Sequence, residues 1–435
     1  MIKTKRRNEK DRIAKRSSYR FYFKNKDMDF YLMAATVNIS HNGASIGEIM
    51  YAANRIKEND PESWTNEWLA LGKRCEERAE EAMEKGNLTT AAQQFLHAYT
   101  YYRVGIIGIP PSSNLRNETY HKFVSCFQSG ISYLDTHIEP IQVSWVRGDD
   151  ELLMPGYFMS PDDSGKKRPT VIILNGGEMY PEDQYFWGGA TALQRGYNVI
   201  TMAYEGSRAP PVLYPDLPAM DPAEEMIAPG FHKFIVDYIM SRDETDAENL
   251  AAIGFSSGAY QVMHQASFDD RIKALVLAAP LYDINALLTE EIPSVLQNAP
   301  SFIFNALTKL AAKANPFTRV SLEHAVEASR ISSMKELMDL SKRIPPVNPK
   351  SIACPVLCLI GDGDSDEQMR QCHEFYEQVS SHTKQLRVFT QVDGASMHCQ
   401  IDNLSLLEQT TFDWLDDVLS QKSRYNIAAA RDTQN

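Results

Sequence analysis

Residues 250–258 read Leu-Ala-Ala-Ile-Gly-Phe-Ser-Ser-Gly, and this stretch decides the fold. The run Leu250–Gly254 is apolar throughout, which is typical of a strand buried on both faces, and a helix is predicted from Ser257 onward. Between them lies the pattern Gly-x-Ser-x-Gly, which is typical of a sharp strand-to-helix turn that exposes a serine hydroxyl. The two glycines are needed because such a turn leaves no room for side chains beside the serine. The stretch therefore predicts an α/β sheet with a nucleophilic serine at Ser256.

From about residue 138, short runs rich in Val, Ile, Leu and Tyr alternate with helical stretches. The predicted strands are Ile141–Val146, Leu152–Met159, Thr170–Leu174, Val199–Tyr204, Leu250–Gly254, Ala274–Ala279, Val356–Ile360 and Leu386–Val392. The predicted helices between them lie near Asp183–Arg195, Glu224–Ser241, Ser257–Ser267, Asp366–Val379 and Leu404–Leu419. This alternation indicates parallel strands with right-handed crossovers, and the first two strands can pair as a hairpin. We therefore expect an eight-stranded, mostly parallel α/β sheet.

The chain on either side of these strands is predicted to form further units. Asp60 and Pro61 are typical of a helix start, and apolar residues at helical spacing follow them, so an N-terminal helical domain is expected. The stretch between strands six and seven is mostly helical and too long for a plain loop, which predicts a lid over the carboxyl end of the sheet. The expected units are a basic disordered head (1–27), the helical domain (28–137), the sheet's first part (138–280), the lid (281–345), the sheet's second part (346–421) and a tail (422–435).

Composition and charge exclude several classes of protein. The chain has 435 residues, an ordinary globular share of apolar residues (43%) and a formal net charge of −13. Residues 1–26 carry eleven Lys or Arg against two acidic residues, so the remainder is strongly acidic, which argues against a nucleic-acid partner. There is no bilayer-length apolar run, no secretory leader pattern and no zinc-like spacing among the six cysteines. We expect a cytoplasmic protein with no metal, no other cofactor and no membrane partner.

A serine hydroxyl needs a base, and the base needs an acid that orients it. In folds of this kind both follow the serine along the chain, acid first. Asp364 lies just past the seventh predicted strand and His398 just past the eighth, so both lie at the edge where Ser256 is expected. Asp362 and Asp366 compete with Asp364, which is favoured because a Gly-x-x-Asp turn commonly presents the acid. We predict that Ser256, His398 and Asp364 act together.

An oxyanion at the reacting carbonyl needs two backbone N–H donors. One is expected from Ser257, the residue after the nucleophile, and the other from Gly177 or Glu178 in the Gly-Gly turn after the third strand. Glu178, Glu182 and Tyr204 are candidates for contact with a small-molecule substrate. A solvated loop carboxylate is an equally good interpretation of either glutamate.

With these residues in place, the chain resembles a known family over roughly residues 28–421. It resembles the α/β-hydrolases with an N-terminal helical domain that are related to 2,6-dihydroxypseudooxynicotine hydrolase and to fungal hydrolases that shorten naphthopyrone polyketides, within the wider group of the fermentation-respiration switch protein. The matching segments are Ile46-Gly47-Glu48, Arg55-Ile56-Lys57, Asp60-Pro61-Glu62-Ser63-Trp64, Tyr101-Tyr102-Arg103, Asn175-Gly176-Gly177, the serine turn, His398-Cys399-Gln400, Asn403 and Asp413-Trp414-Leu415.

The resemblance implies a Ser–Asp–His triad at Ser256, Asp364 and His398, a substrate cleft between lid and helical domain, and a homodimer. Members of the family hydrolyse carbon–carbon bonds next to a ketone, or esters. One segment departs from the family. After the fourth strand such proteins commonly carry an Asp-Gly-Pro-Gly-like turn, whereas this chain has Tyr-Glu-Gly-Ser-Arg-Ala-Pro-Pro at residues 204–211. Because that loop faces the active site, the family's substrate cannot be assumed for this chain.

These observations favour a serine hydrolase that acts on a carbonyl compound. Hydrolysis of a carbon–carbon bond in an aromatic or polyketide-like ketone is slightly favoured, on the resemblance alone. A carboxylesterase or lactonase is a close alternative, and a second is non-hydrolytic transfer or cyclisation of a polyketide acyl chain on the same triad. A third hypothesis is a non-catalytic interaction protein built on the helical domain and the basic head.

Overall fold

A central sheet organises the chain in the computed structural model, which describes residues 16–221, 232–290 and 292–419. Within these ranges the sheet has eight strands in the order β1-β2-β4-β3-β5-β6-β7-β8. The strands are β1 (His137–Arg147), β2 (Asp150–Ser160), β3 (Arg168–Leu174), β4 (Asn198–Met202), β5 (Thr245–Phe255), β6 (Ala274–Ala278), β7 (Val356–Gly361) and β8 (Lys384–Phe389). β1 and β2 form an antiparallel hairpin, β2 pairs antiparallel with β4, and the remaining pairs are parallel. The predicted eight-stranded, mostly parallel sheet is confirmed.

The burial of the strands explains why their apolar sequences predicted them clearly. Every residue of β4, β6 and β7 is buried, as expected for central strands covered on both faces. β1 lies at the sheet edge, and its second half alternates between buried and exposed residues. β8 ends at Phe389 rather than at the predicted Val392. A turn stops it there, in which the N–H of Thr390 donates to Asp393 Oδ2 at 2.8 Å.

Helices precede the sheet and pack onto it. They are α1 (Lys26–Val37), α2 (Ile46–Ala53), α3 (Pro61–Glu84), α4 (Leu88–Gly105) and α5 (Asn114–Ile131). Asp60 caps α3, where its Oδ1 accepts a hydrogen bond from the N–H of Ser63 at 3.0 Å. Trp64 and Trp68 are fully buried, and one continuous apolar cluster joins them to residues of the sheet such as Val171. The helical part therefore shares its core with the sheet.

Five further helices lie between β6 and β7, in the segment predicted as a lid. They are α10 (Ile284–Thr289), α11 (Ser294–Gln297), α12 (Ser301–Ala314), α13 (Pro316–Ala328) and α14 (Met334–Ser341) within the described residues. The remaining described helices are α6 (Ala190–Gln194), α7 (Ala209–Leu213), α8 (Lys233–Met240), α9 (Ser257–Ala266), α15 (Asp366–Gln378) and α16 (Leu404–Val418). None of the helices in the described ranges is both long and apolar enough to cross a membrane.

Two predicted helices differ from the structure. The helix predicted over Asp183–Arg195 is interrupted at Trp187 and Gly188, whose backbone angles are not helical; Gly188 has φ +101°, a conformation that glycine adopts readily. The helix predicted over Glu224–Ser241 is seen as α8 alone, since residues 222–231 lie outside the described residues. The predicted tail at 422–435 also lies outside them.

Part of the predicted disordered head follows a defined path. Residues 1–15 lie outside the described residues, but residues 16–25, which we call the amino-terminal strap, run across the loops at the carboxyl end of the sheet. The Asp29 carboxylate of α1 holds the strap, because it accepts hydrogen bonds from the N–H groups of Phe21, Tyr22 and Phe23. Further contacts with residues 178 and 398, described below, fix its first residues. The boundary at 27 is therefore wrong for the disordered segment, since long-range contacts order residues 16–25.

Candidate active site

Ser256 lies at the sharp turn between β5 and α9. Its backbone has φ +53° and ψ −117°, an unusual conformation for a residue other than glycine. A Cβ atom added at Gly258 would lie 2.3 Å from the carbonyl oxygen of Leu174, and one added at Gly254 would lie 2.5 Å from Ala259 Cα. The turn therefore requires both glycines, as the sequence predicted. It presents Ser256 at the carboxyl end of the sheet.

Asp364 and His398 meet at the same edge of the sheet. His398 Nδ1 lies 2.5 Å from Asp364 Oδ1, and the Asp364 side chain is fully buried. Asp364 follows β7, and His398 lies in the loop after β8, so each reaches the site from its own strand end. The competing Asp366 lies instead in the exposed first turn of α15. The structure thus brings together the predicted acid and the predicted base.

The surroundings of His398 determine how strongly it binds a proton. Burial lowers the pKa of His398, but electrostatic interactions with Cys399 and Asp364, and the hydrogen bond to Asp364, raise it more strongly. The net pKa is therefore raised above its usual value of about 6.5. The backbone N–H of His398 donates to the carbonyl oxygen of Arg16 in the strap at 2.9 Å. The N-terminal strap thus holds the loop that carries His398.

Ser256 and His398 line one cavity of about 410 Å³. Its walls come from the strap, the helical part, the loops after β3 and β4, and the segment between β6 and β7. Apolar residues of these walls include Phe30, Val104, Trp187, Phe255, Leu288 and Ile344. The cavity therefore suits a substrate with a substantial apolar body.

The loop after β3 packs directly against the serine turn. A Cβ atom added at Gly176 would lie 3.5 Å from Ser256 Cβ, and one added at Gly177 would lie 3.3 Å from Ser257 Oγ. Tyr204, at the start of the loop after β4, donates to the carbonyl oxygen of Asn175 at 2.7 Å, and its hydroxyl lies 3.2 Å from Ser257 Oγ. The backbone groups predicted to hold an oxyanion are therefore neighbours of Ser256, and Tyr204 lines the cavity beside them.

The two candidate glutamates occupy different places. Glu178 lines the cavity, pairs with Arg16 at 2.8 Å and accepts a hydrogen bond from the Tyr31 hydroxyl at 2.7 Å. Burial raises the pKa of Glu178, but Arg16 and Arg208 lower it to about 2, so this carboxylate is ionised and paired rather than freely solvated. Glu182 is not among the residues that line the cavity. It is buried against the Tyr157 hydroxyl at 2.9 Å, and burial raises its pKa to about 7. Its position does not support contact with substrate.

Sequence reasoning missed the cavity's arginines. Arg16, Arg103 and Arg208 all line it, although the sequence suggested a disordered head, a helix core and a variant loop at these positions. Arg103 pairs with Asp183 at 2.9 Å and donates to the backbone oxygen of Glu178 at 2.8 Å. An arginine within the apolar stripe of a predicted helix was the available signal for Arg103.

A second cluster of potential ligand atoms lies in the helical part. The side chains of Glu48, Cys75 and His97 approach within 4.8 Å of one another. Glu48 is already occupied, because it bonds to His97 at 2.9 Å, to Tyr101 at 2.8 Å and to Arg78 at 2.8 Å. Burial raises the pKa of Cys75 to about 12, which disfavours the thiolate that a metal needs. This donor set acts as a hydrogen-bonded cluster around Glu48.

The sequence is similar to hydrolases from fungi. A family model described as Hydrolase_4, serine aminopeptidase, S33, matches residues 196–393. The chain is 25% identical over 414 residues to 20-hydroxy-prefusarin hydrolase FUS2 of Gibberella moniliformis, covering 91% of this chain and 97% of that protein. It is 24% identical over 412 residues to alpha/beta hydrolase xenA of Xenoacremonium sinensis, covering 89% and 95%.

Solved structures share the fold over nearly the whole chain. The 2,6-dihydroxy-pseudo-oxynicotine hydrolase has a TM-score of 0.60 at 18% identity and covers 88% of this chain and 95% of its own. AbyA5 has a TM-score of 0.54 at 14% identity and covers 89% and 98%. These similarities span the N-terminal helices as well as the sheet. Together with the eight-stranded sheet, they show that the chain has the α/β-hydrolase fold.

Proposed function

We propose that this chain is a serine hydrolase in which Ser256 attacks a carbonyl carbon, His398 moves the proton and Asp364 orients the imidazole. One observation carries the proposal. His398 Nδ1 is held 2.5 Å from a buried Asp364, on a ring that lines the same cavity as Ser256. The strained backbone of Ser256 adds support, since strain of this kind is stored at functional sites.

The proposed reaction has two stages. His398 Nε2 accepts the hydroxyl proton as Ser256 Oγ bonds to the carbonyl carbon, and the backbone N–H groups of Ser257 and of Gly177 or Glu178 stabilise the oxyanion. The oxyanion collapses, the leaving group departs with the proton from His398, and an acyl-serine remains. Water, deprotonated by His398, then attacks the acyl group and releases the acid and free Ser256.

The proposed substrate is an aromatic or polyketide-like ketone. A carbon leaving group departs as a carbanion or enolate, so it must be stabilised by an aryl or β-keto group. The aromatic residues Phe30, Trp187 and Phe255 in the cavity wall suit such a body. Two similar proteins, 20-hydroxy-prefusarin hydrolase and 2,6-dihydroxy-pseudo-oxynicotine hydrolase, are named as hydrolases of elaborate small molecules, which also supports this class.

The experiment is intact-mass analysis of the full chain after exposure to a fluorophosphonate and to panels of aryl ketones and aryl esters. We expect a single fluorophosphonate adduct on Ser256, which is absent in Ser256→Ala. Ser257→Ala is the matched control for the neighbouring hydroxyl, and it should still form the adduct. Turnover of ketones but not esters would favour carbon–carbon hydrolysis, and the reverse would favour an esterase. A folded chain that forms no adduct would contradict the proposal.

A further inference from the structure

The charges around the cavity are mostly paired. Arg16 pairs with Glu178 at 2.8 Å, and Arg103 pairs with Asp183 at 2.9 Å. Each of these arginines lines the cavity and has a carboxylate of the protein as its partner. Ligand binding therefore does not have to supply their counter-charge.

Arg208 differs from both. Its side chain lines the cavity and the residue is 6% exposed, yet its Nη1 atom has no hydrogen-bond partner and it forms no ion pair with a carboxylate in the described ranges. A guanidinium does not lose its charge at any ordinary pH, so this charge is buried without a carboxylate in direct contact with it in the described ranges. Groups buried in this way are normally paired.

Two carboxylates that interact electrostatically with Arg208 already have other partners. Arg208 lowers the pKa of Glu178 and of Glu327 electrostatically, so both lie within its field. Glu178 is held by Arg16 and Tyr31, and Glu327 pairs with Arg116 at 2.6 Å. Glu205, which also lines the cavity, pairs with Arg330 at 2.6 Å, so in the described part of the chain each of these three carboxylates pairs with an arginine other than Arg208.

The position of Arg208 in the fold suggests a role in substrate binding. Arg208 follows β4 in the loop where the sequence departs from the Asp-Gly-Pro-Gly-like turn. Two residues earlier, the carbonyl oxygen of Gly206 lies 3.8 Å from where a Cβ of Gly177 would be, so this loop packs on the loop proposed to hold the oxyanion. The residue therefore lines the same cavity as Ser256, and its loop packs on the loop of the predicted oxyanion donors.

We infer that Arg208 binds a carboxylate of the substrate, and so determines specificity for substrates that carry an acid group on an apolar body. The inference rests on the proposed function, because it places this group in the cavity of Ser256. A planar guanidinium matches the two oxygens of a carboxylate, and burial strengthens the interaction. Binding at Arg208 fixes which carbonyl of the substrate reaches Ser256.

The test measures how well two ligands of the same shape slow fluorophosphonate labelling of the full chain. The ligands are 4-phenylbutanoate and the neutral 4-phenylbutanamide. In the unmodified chain we expect half-protection by the acid at a concentration about tenfold or more below that of the amide, as for a hydrogen-bonded charge. In Arg208→Gln the ratio should fall to within about twofold, and Arg208→Lys should retain part of it.

Arg319→Gln is the matched control. It removes the same charge from α13, where Arg319 makes an exposed pair with Glu323 at 2.9 Å, and it should keep the preference for the acid. Equal protection by acid and amide in the unmodified chain would overturn the inference, and so would a tenfold preference that survives in Arg208→Gln.

The failure of the proposed function has a different signature. If the folded, unmodified chain is not labelled at all, the serine mechanism fails, and calorimetric titration with the acid and the amide then tests Arg208 alone. If Arg208→Gln does not fold, Arg208→Lys and the unmodified chain decide. A Lys variant that keeps part of the preference for the acid would support the inference, whereas equal binding of both ligands to the unmodified chain would again overturn it.

Discussion

Asp364 controls both the orientation and the proton affinity of His398. The carboxylate is fully buried and lies 2.5 Å from Nδ1, which leaves Nε2 as the ring nitrogen that accepts a proton in the proposed mechanism. Burial lowers the pKa of His398, but Cys399 and Asp364 raise it more. In the proposed mechanism the neutral imidazole accepts the proton of Ser256. The reactivity of Ser256 should therefore rise with pH through a pKa that lies above the ordinary histidine value.

Replacing Asp364 by asparagine should slow fluorophosphonate labelling of Ser256 roughly 10³–10⁴-fold, because the imidazole loses its orienting carboxylate. The pH midpoint of the remaining reactivity should move downward, since the negative charge that raises the pKa of His398 is gone. The measurement is the labelling rate from pH 5 to 10. Asp366→Asn changes an exposed neighbour and should alter neither quantity. An unchanged midpoint in Asp364→Asn would contradict this account of His398.

Glu182 should make stability depend on pH. Burial raises its pKa from 4.5 to about 7, so the folded state binds a proton that the unfolded state releases between these values. The contribution of Glu182 to the free energy of unfolding is fully present below pH 4.5. It is lost as the pH rises towards 7, and the total loss is about 3 kcal/mol. Glu182→Gln keeps the acceptor for Tyr157 and removes the titration, so the variant should exceed the unmodified chain in urea midpoint at pH 8 but not at pH 4.5. A difference independent of pH would refute this.

At the scale of elements, the turn between β5 and α9 can form only because Gly254 and Gly258 have no Cβ atom. A Cβ at Gly258 would overlap the backbone oxygens of Leu174 and Asn175, at 2.3 and 2.4 Å, and a backbone cannot move as a side chain can. Gly258→Ala should therefore destabilise the chain by about 3 kcal/mol or more, at the upper end for overpacking. Gly47→Ala, where a Cβ meets nothing within 4 Å, should leave thermal stability unchanged or slightly higher. Equal melting temperatures for both variants would contradict this.

The same scale shows what the sequence could predict. The central strands were predicted closely because a short uninterrupted apolar run such as Ala274–Ala278 is typical of a strand buried on both faces. The break at Trp187 was missed because local helical periodicity does not record a single glycine at φ +101°. The strap was missed for another reason. Its order comes from Asp29 and Glu178, and contacts between distant residues leave no periodic signal.

The candidate site also contains residues that the sequence predicts and residues that it does not. Ser256, Asp364 and His398 were predictable because each follows a recognisable strand, and parallel strands bring their carboxyl ends to one edge. The roles of Arg16 and Arg208 were not predictable, because their positions follow from how the strap and the loop after β4 pack around the cavity. For Arg16, the cluster of basic residues at the N-terminus suggested a disordered segment.

At the scale of the whole molecule, Asp183 ties the helices to the sheet. It accepts hydrogen bonds from the Tyr99 hydroxyl at 2.5 Å and from Arg103 Nε at 3.0 Å, and all three side chains are buried. Both partners lie on α4, whereas Asp183 follows β3. Because the apolar core is also continuous between the two parts, we expect them to unfold together.

Asp183→Ala should lower the free energy of unfolding by about 3–5 kcal/mol, since it leaves the Arg103 charge buried without its partner. Asp413→Ala removes an exposed carboxylate paired with Arg195 and should cost less than about 1 kcal/mol. Urea denaturation followed by tryptophan fluorescence and by circular dichroism measures both. Two separate transitions in the unmodified chain, or equal costs for the two variants, would count against a shared core.

The contact between the Arg16 carbonyl and the His398 N–H has a consequence for how the protein is made. The two residues are separated by 382 peptide bonds (398 − 16), so most of the chain is synthesised after Arg16 before its partner His398 exists. Until then the strap lacks its contact with His398, although its partners Asp29 and Glu178 have already been synthesised. Assembly of the reactive centre is consequently among the last events of biosynthesis, and a truncated translation product would lack it.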